Sequence, residues 1–261
     1  MNKYEKYYPI VSKANEKFNF FLNKAKEIKD FEQKLRVLSS LIEFAVYHNA
    51  GIWSCSYIEN FYTDYAKSID IDNYNIEYKR NSFLHVLTTG SATGGNTRVV
   101  ERWINNAPEI QSHSVVFLSP NEDKMSLHEN NVKFKKGKCI YFDNTLTERA
   151  KALKLRELGL KYEYIVLHTN MDDVIPVIAF GTEKFKRPVL LYNHANLLFW
   201  IGKSIADLTV DIVNNDEITS IRRNIKDTFF LGVPSLTYSI SDKKELRKKL
   251  SLPFQPTFFL R

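Results

Sequence analysis

The chain has 261 residues, of which 44% are hydrophobic, 13% aromatic and 26% charged, and this composition excludes intrinsically disordered and fibrous proteins. Lysine and arginine outnumber acidic residues by 37 to 30, which gives a net charge of +7 without a sustained basic run. We expect no nucleic-acid partner, and leave peripheral contact with an anionic membrane surface or a phosphorylated ligand as alternatives to a solvated lysine-rich surface.

The first part of the chain, residues 1–80, has a helical pattern. Apolar residues recur at steps of four and three from Ala14 through Phe18 to Ile28, which places them on one face of a helix. A second stripe starts at Phe31, and the change of step beside Asp30 predicts a break between two helices, or one bent helix. We therefore predict an all-helical segment that packs on a core.

Residues 81–240 alternate short apolar runs with helical patterns, which is typical of an α/β fold. The predicted strands span residues 83–88, 114–118, 132–134, 138–141, 164–168, 189–193, 208–212 and 228–231. The predicted crossover helices span residues 97–106, 146–158, 172–180 and 197–204. This order predicts a doubly wound, mostly parallel sheet, in which ligands bind at the carboxyl ends of the strands.

The last residues, 241–261, predict a charged helix at 242–250 and a strand at 256–260. That strand is either an edge strand of the same sheet or the first strand of a further domain.

The two cysteines, Cys55 and Cys139, lie far apart and have no cysteine or histidine at metal-ligand spacing. We expect no disulfide scaffold and no metal site. The sequence also lacks a signal-peptide core and any run near the ~20 apolar residues of a membrane helix. We therefore expect a soluble, cytoplasmic protein that needs no cofactor.

A glycine-containing loop follows the first predicted strand, within HVLTTGSATGGNTRVVERWI at residues 85–104. Gly90, Gly94 and Gly95 allow backbone N–H groups to approach a ligand closely, and the following helix directs its positive end outward. Arg98, one turn into that helix, adds a donor for phosphate. The spacing matches neither the dinucleotide nor the nucleoside-triphosphate motif, so the loop predicts a phosphate or sugar-hydroxyl site, or only a tight turn.

Two more strands end in polar residues. In YIVLHTNMDDVIPVI, His168 closes a strand, and Asp172 and Asp173 open the next helix, where either carboxylate could cap it. His168 points into the cleft or satisfies a hydrogen bond in the core. Asn193 and His194 close the next strand, and His194 is the leading catalytic candidate because a neutral imidazole can accept the proton of a hydroxyl group.

In combination, four segments resemble bacterial glycosyltransferases of the GT-B fold: GGNTRVVERW, LHTNMDDVIPVIAFG, RPVLLYNHANLLFWIGKSIADL and IRRN. Family members carry GGHTR in the first loop and NHADH before the FW pair. This chain differs at Asn96, Asn196 and Leu197, where histidine, aspartate and histidine are expected. The resemblance implies that residues 81–240 form the Rossmann-like N-terminal domain, with residues 241–261 as the linker helix and first strand of a C-terminal domain.

The resemblance also implies the activity, which is transfer of a sugar from a nucleotide-sugar donor to a saccharide, lipid-linked or protein acceptor, without a bound metal. We predict that His194 contacts the sugar or activates the acceptor, and that His168 and Asp172 line the acceptor side. The predicted binding residues are Gly94, Gly95, Asn96, Thr97, Arg98, His168, Asp172 and Asn193. An isolated N-terminal half is expected to bind ligand with little turnover, because its site is not closed against water.

The alternative from another functional class is a non-catalytic module that binds a saccharide or nucleotide while the helical segment docks a partner. The three departures from the family pattern favour this alternative. A nucleotide-binding regulatory protein complete at 261 residues is a further alternative, for which the sequence offers no specific motif.

Overall fold

In the computed structural model of the chain, the described residues are 7–90, 95–120, 137–195, 197–213, 221, 223–225, 227–231, 245 and 248. The helices are α1 (Tyr8–Glu27), α2 (Phe31–Tyr47), α3 (Ser56–Ser68), α4 (Gly95–Asn106), α5 (Glu148–Gly159) and α6 (Ile175–Phe180). The strands are β1 (Lys79–Leu87), β2 (Ser112–Phe117), β3 (Cys139–Tyr141), β4 (Tyr162–Leu167), β5 (Val189–Asn193), β6 (Leu208–Asp211) and β7 (Thr228–Phe230).

The seven strands form one sheet in the order β3-β2-β1-β4-β5-β6-β7, and every neighbouring pair is parallel. The order reverses between β1 and β4, which is the point where doubly wound sheets bind their ligands. The predicted Rossmann-like α/β fold is therefore confirmed. All strands run in one direction, so their carboxyl ends lie along a single edge.

Helices α1, α2 and α3 lie on one side of the sheet, where α3 packs against α6, and α5 packs against both α6 and strand β4. The predicted break near Asp30 is present, because the Asp30 side chain accepts a hydrogen bond from the Gln33 amide and starts α2. The apolar stripes of the three helices share one core with this face of the sheet. Fully buried members of that core are Phe18, Ile42, Ile58, Leu84, Val86 and Ile165. The division of the chain at residue 80 stays a prediction.

Helix α4 covers the opposite face. Val100 and Ile104 of α4 pack with Leu87, Val115 and Phe117 of the sheet. Farther along, Val99 packs with Tyr192 of β5 and Val210 of β6. This face carries the side chains of the candidate site described below.

The predicted helix at residues 197–204 is absent. This segment forms turns, in which Gly202 has a φ of +116°, a conformation outside the helical range. The Glu59 carboxylate accepts hydrogen bonds from the amides of Gly202 (2.8 Å), Lys203 (3.3 Å) and Ser204 (3.2 Å). These amides bind a distant side chain, which the periodicity of the segment does not reveal.

Some predicted elements lie wholly or partly outside the described residues. The predicted strand at 132–134 and the predicted strand at 256–260 fall outside the described residues. Within the predicted helix at 242–250, the two described residues, Glu245 and Lys248, are helical. In the part of the chain that the structure describes, no helix has both the length and the apolar character needed to cross a membrane.

Candidate functional site

The carboxyl ends of β1 and β4 are joined by Thr88. Its hydroxyl donates to Asp173 Oδ2 at 2.5 Å and accepts from the Asn170 amide at 2.9 Å. Asp173 Oδ1 in turn accepts from the Ile175 amide at 3.0 Å, so Asp173 is the carboxylate that caps α6. Two segments that are 85 residues apart in sequence therefore meet at the switch point of the sheet.

The start of α4 lies at the same place. Asn96 Nδ2 donates to the His168 carbonyl at 3.4 Å, which brings the first turn of α4 to the end of β4. A Cβ added at Gly95 would meet no atom within 4 Å, so the space beside this exposed glycine is open. Gly95, the first residue of α4, is therefore exposed, and Asn96 beside it contacts the end of β4.

Three aromatic rings lie close together near the amino end of α4. They belong to His168, Tyr192 and His194, and we refer to them as the ring cluster. Ring centroids lie 5.2 Å apart for His168 and Tyr192, 4.8 Å for Tyr192 and His194, and 5.6 Å for His168 and His194. Trp103 of α4 flanks the cluster, 6.1 Å from His168 and 6.3 Å from Tyr192. The cluster thus joins the ends of β4 and β5 beneath α4.

Each member of the ring cluster has a buried polar atom without a hydrogen-bond partner, namely His168 Nδ1, Tyr192 Oη and His194 Nε2. Leaving such an atom unsatisfied costs about 1–3 kcal/mol, so native proteins pair most buried polar atoms with a protein group, a water molecule or a ligand. A cavity of about 20 Å³, lined among others by Asn170, Tyr192 and His194, lies beside these rings. Its volume suits one water molecule or one hydroxyl group.

Burial sets the protonation states of the cluster. It lowers the pKa of His194 to about 4 and holds the pKa of His168 well below its ordinary value, assisted by the neighbouring imidazoles of His85 and His194. The pKa of Tyr192 is raised by burial. Near neutral pH the three side chains are therefore uncharged, and both histidines have a lone pair that can accept a hydrogen bond.

Asp173 is the acidic group next to the cluster. Burial raises its pKa to about 6, against the opposing effect of its hydrogen bonds from Thr88 and Ile175, and the nearby charge of Asp172 adds to the rise. Asp172 itself is half-buried. Two carboxyl groups thus adjoin the end of β4, and one of them is partly protonated near neutral pH.

The other predicted binding residues have different surroundings. Arg98 has a side chain that is 58% exposed and pairs with Glu101 one turn along α4, at 3.6 Å, while Thr97 is buried. Asn193 is buried, with Nδ2 donating to Asp211 Oδ1 at 2.6 Å and Oδ1 accepting from the Ala195 amide at 3.2 Å. Asn193 therefore shapes the turn that carries His194, and a ligand contact for it stays a prediction. Gly94 lies outside the described residues.

Residues near the helical segment hold the chain after His194. Arg223 lies between the rings of Trp53 and Trp200, at 5.2 Å and 4.5 Å from their centroids, and donates to the carbonyls of Ala195 (3.1 Å) and Leu198. Together with Glu59, Arg223 holds Ala195 and residues 198–204 against the loop before α3. Residues of the helical segment thus contact the chain that follows His194 and hold it in place.

Sequence reasoning missed Tyr192, Trp103 and Glu59, and it did not predict that Arg223 of the IRRN segment is buried. Tyr192 follows Leu190 and Leu191 in an apolar strand, so its sequence context is that of an ordinary core residue. Only the next two residues, Asn193 and His194, are polar enough to indicate the end of the strand. A buried glutamate and a buried arginine have no local signal in the sequence, because their partners lie more than 20 residues away.

A separate cavity of about 730 Å³ lies at the opposite edge of the sheet. Its lining is basic and aromatic, and includes Tyr74, Tyr78, Arg80, Lys184 and Arg187. It is distant in the fold from the ring cluster, since it surrounds the beginning of β1 rather than its end.

No protein-family model matches the chain, and no curated protein matches it. Among solved structures, it is similar to HepE of Anabaena in complex with UDP, with 15% identity, a TM-score of 0.44 and coverage of 65% of this chain and 50% of HepE. The UDP-glucose complex of HepE gives 13% identity and a TM-score of 0.45, with the same coverage. A mutant O-GlcNAc transferase of Thermobaculum terrenum gives 11% identity and a TM-score of 0.47, with coverage of 85% of this chain and 42% of the transferase. The chain spans half or less of the length of these proteins.

Proposed function

We propose that the chain is the N-terminal, acceptor-side part of a glycosyltransferase, which moves a sugar from a nucleotide-sugar to an acceptor hydroxyl group. One observation carries this proposal: three of the four segments that resemble such enzymes are distant in sequence but meet at the switch point of one parallel sheet. There they present a helix amino end, two carboxyl groups and a cluster of neutral rings with unused hydrogen-bonding atoms.

The donor diphosphate would lie at the amino end of α4, near Gly94, Gly95 and Asn96. Backbone N–H groups at a helix amino end and the helix dipole favour an anion at this position. Arg98 is one turn farther along, and its side chain is 58% exposed and lies 3.6 Å from Glu101, a separation that leaves the guanidinium able to turn toward a bound phosphate.

In the proposed reaction, the acceptor oxygen attacks the anomeric carbon of the sugar while the bond from that carbon to the diphosphate oxygen breaks. The nucleoside diphosphate leaves with the electron pair, and His194 takes the hydroxyl proton. The low pKa of free His194 makes it a weak base, but the negative charge of a bound diphosphate would raise that pKa toward neutrality. No step uses a metal or a redox cofactor.

The acceptor would approach from the side of His168 and Asp172, with Asn193 holding the turn that carries His194. Both histidines would present neutral nitrogen atoms to acceptor hydroxyl groups. The acceptor class remains a choice among saccharide, lipid-linked and protein acceptors, and a cytoplasmic location with peripheral membrane contact belongs to the same proposal.

A non-catalytic saccharide- or nucleotide-binding module is the second candidate. Asn96, which replaces an expected histidine, uses its side chain to bind the His168 carbonyl at 3.4 Å, and Leu197 replaces another and is 59% exposed. These positions thus lack two titratable groups that the resemblance would place beside the donor. Full-length protein that binds donor but transfers no sugar would favour this candidate.

Calorimetric titration with a panel of nucleotide-sugars and nucleoside diphosphates, among them UDP-glucose and UDP, tests the proposal. We expect one donor class to bind, and Arg98→Ala and His194→Ala each to weaken its binding by about tenfold or more, the worth of a hydrogen bond to a charged group. Arg36→Ala in α2 and His48→Ala directly after α2, both at exposed positions, are the matched controls. Absence of binding to every member, or equal binding by all variants, would contradict the assignment of the donor site.

A further inference from the structure

We propose that His113, His85 and His168 form a hydrogen-bonded relay, anchored by Gln111, that fixes the proton of His168 on Nε2 and leaves its Nδ1 as an acceptor in the ring cluster. We refer to these three side chains as the histidine relay. His85 and His113 act in it as positioning residues, because neither belongs to the ring cluster.

The histidine relay crosses the α4 face of the sheet from β2 through β1 to the end of β4. His113 Nε2 lies 3.2 Å from Gln111 Oε1, and His113 Nδ1 lies 3.0 Å from His85 Nε2. His85 Nδ1 lies 3.1 Å from His168 Nε2. The three histidines are 0%, 0% and 1% exposed, so solvent does not compete for these bonds.

The anchor at Gln111 sets the direction of every bond. An amide oxygen only accepts, so His113 carries its proton on Nε2 and accepts at Nδ1. The donor to that nitrogen is then His85 Nε2–H, which leaves His85 Nδ1 to accept from His168 Nε2–H. His168 therefore presents a lone pair at Nδ1, the atom that has no hydrogen-bond partner.

The reverse order of protons is disfavoured at both ends of the relay. It would require Gln111 to turn its amide group and donate to His113. It would also place a buried N–H at His168 Nδ1 with no acceptor, and orphaned buried N–H groups are rarer than under-used acceptors. Gln111 at one end and His168 Nδ1 at the other thus favour the same direction for the hydrogen bonds of the relay.

The groups around His85 and His168 keep these two imidazoles neutral. His85 faces His168 from β1, Tyr192 faces it from β5, His194 faces it from the turn after β5, and α4 contributes Trp103. Burial lowers the pKa of His85, and the neighbouring His113 adds to this effect, as the imidazoles of His85 and His194 do for His168. With one proton on each imidazole, the direction of the hydrogen bonds along the relay is unique.

The consequence is a hydrogen-bond acceptor of fixed position beside His194. A hydroxyl group can donate to His168 Nδ1, whereas an acceptor such as a phosphate oxygen cannot bind it. That this hydroxyl belongs to a saccharide rests on the proposed function; the position of the proton does not.

The test is long-range ¹H–¹⁵N correlation NMR on the chain labelled in its imidazole nitrogens. The chain has six histidines, so single substitutions assign the signals. We expect His85, His113 and His168 each to carry its proton on Nε2 alone at pH 7.5. Gln111→Met removes the acceptor for His113 Nε2–H at a half-buried position. Gln111 is separated from His168 by His113 and His85, so a change at His168 must be transmitted through these two rings. We expect His168 to become a mixture of both tautomers. Gln33→Met, at an exposed position in α2, is the control and should leave the signals unchanged.

A wild-type His168 with its proton on Nδ1 would overturn the proposal, and so would Gln111→Met protein that is folded and retains a pure Nε2 tautomer at His168. If His85 and His113 have only a structural role, the substitution at Gln111 does not change the tautomer of His168, and the Gln111→Met protein keeps the proton on Nε2. The measurement uses no ligand, so failure of donor binding leaves its outcome unaffected, and the two proposals fail separately.

Discussion

His194 combines a neutral ring, a buried nitrogen without a partner and a pKa lowered from 6.5 to about 4. Because the unfolded chain binds the proton more readily, the stability contributed by neutral His194 is complete above pH 6.5 and is lost as the pH falls toward 4. We expect the stability of wild type relative to His194→Gln to fall by up to about 3 kcal/mol over this range. Urea unfolding at several pH values measures it, with His48→Gln as control, and a constant difference would show that His194 is solvated.

Asp173 should show the opposite slope in the same pH range. Its pKa is raised from 3.8 to about 6, so the folded chain binds the proton first, and stability rises as the pH falls through 6. Relative to Asp173→Asn, wild type should gain about 1.5 kcal/mol between pH 6 and pH 4.5. The same unfolding series measures this gain, and Asp72→Asn, at an exposed position, is the control. A loss of relative stability over that range would contradict the burial of this carboxyl group.

At the level of single residues, the sequence indicated strand ends better than it indicated partners. His168, Asp173 and His194 were found because polar residues that close apolar strands in an α/β pattern gather at one edge. His85 and His113 lie inside apolar strands, and their contact joins residues 28 positions apart. Only the strand order brings them together, so no local pattern could reveal the relay.

At the level of elements, Arg156 of α5 is the main polar tie between helices. Its guanidinium is fully buried and donates to carbonyls near the ends of α3 and α6, at Ala66, Ile69, Ile178 and Ala179. Arg156→Met would leave these carbonyls unsatisfied, and we expect it to lower the free energy of unfolding by about 3 kcal/mol or more.

Chemical denaturation measures this loss. Arg149→Met is the matched control on the same helix, since Arg149 is exposed, and it should change the free energy of unfolding by no more than about 0.5 kcal/mol. Equal effects of the two substitutions would mean that the buried guanidinium does not hold the helix ends.

Glu59 of α3 ties the segment after His194 to the helical part of the chain. Glu59→Gln keeps the shape of the side chain but replaces one of two accepting oxygens by a donor, against the amides of residues 202–204. A buried bond lost in this way costs about 1–3 kcal/mol, so amide exchange in this segment should accelerate about tenfold or more. Hydrogen exchange measured by mass spectrometry detects this, with exposed Glu43→Gln in α2 as control; unchanged exchange would show that the segment is held by other contacts.

The same carboxylate explains the wrong helix prediction at 197–204. Periodicity reports which side chains face a core, and Phe199, Trp200 and Ile201 are indeed buried. It does not report where backbone amides bond, and here three of them bind a side chain about 145 positions earlier. Helix boundaries elsewhere were close, because caps such as Thr147 and Asp30 act on neighbouring residues.

At the scale of the whole molecule, the parallel sheet was predictable because each strand is a short apolar run and each crossover has its own helix or long connection. The sequence did not show how the helical segment joins the sheet. The two share one core, and Glu59 with Arg223 connects that core to the chain that carries His194. The helical segment therefore belongs to the support of the site as well as to the surface of the molecule.

For the molecule as a whole, we expect the nucleotide to bind at the carboxyl edge of the sheet and not in the basic cavity at the opposite edge. Hydrogen exchange of the chain with and without saturating UDP tests this claim most directly. We expect protection at residues 88–90, 95–98, 168–173 and 193–195, where the three segments meet. Protection at residues 74–80 and 184–187, which line the 730 Å³ cavity, or no protection in any segment, would contradict it.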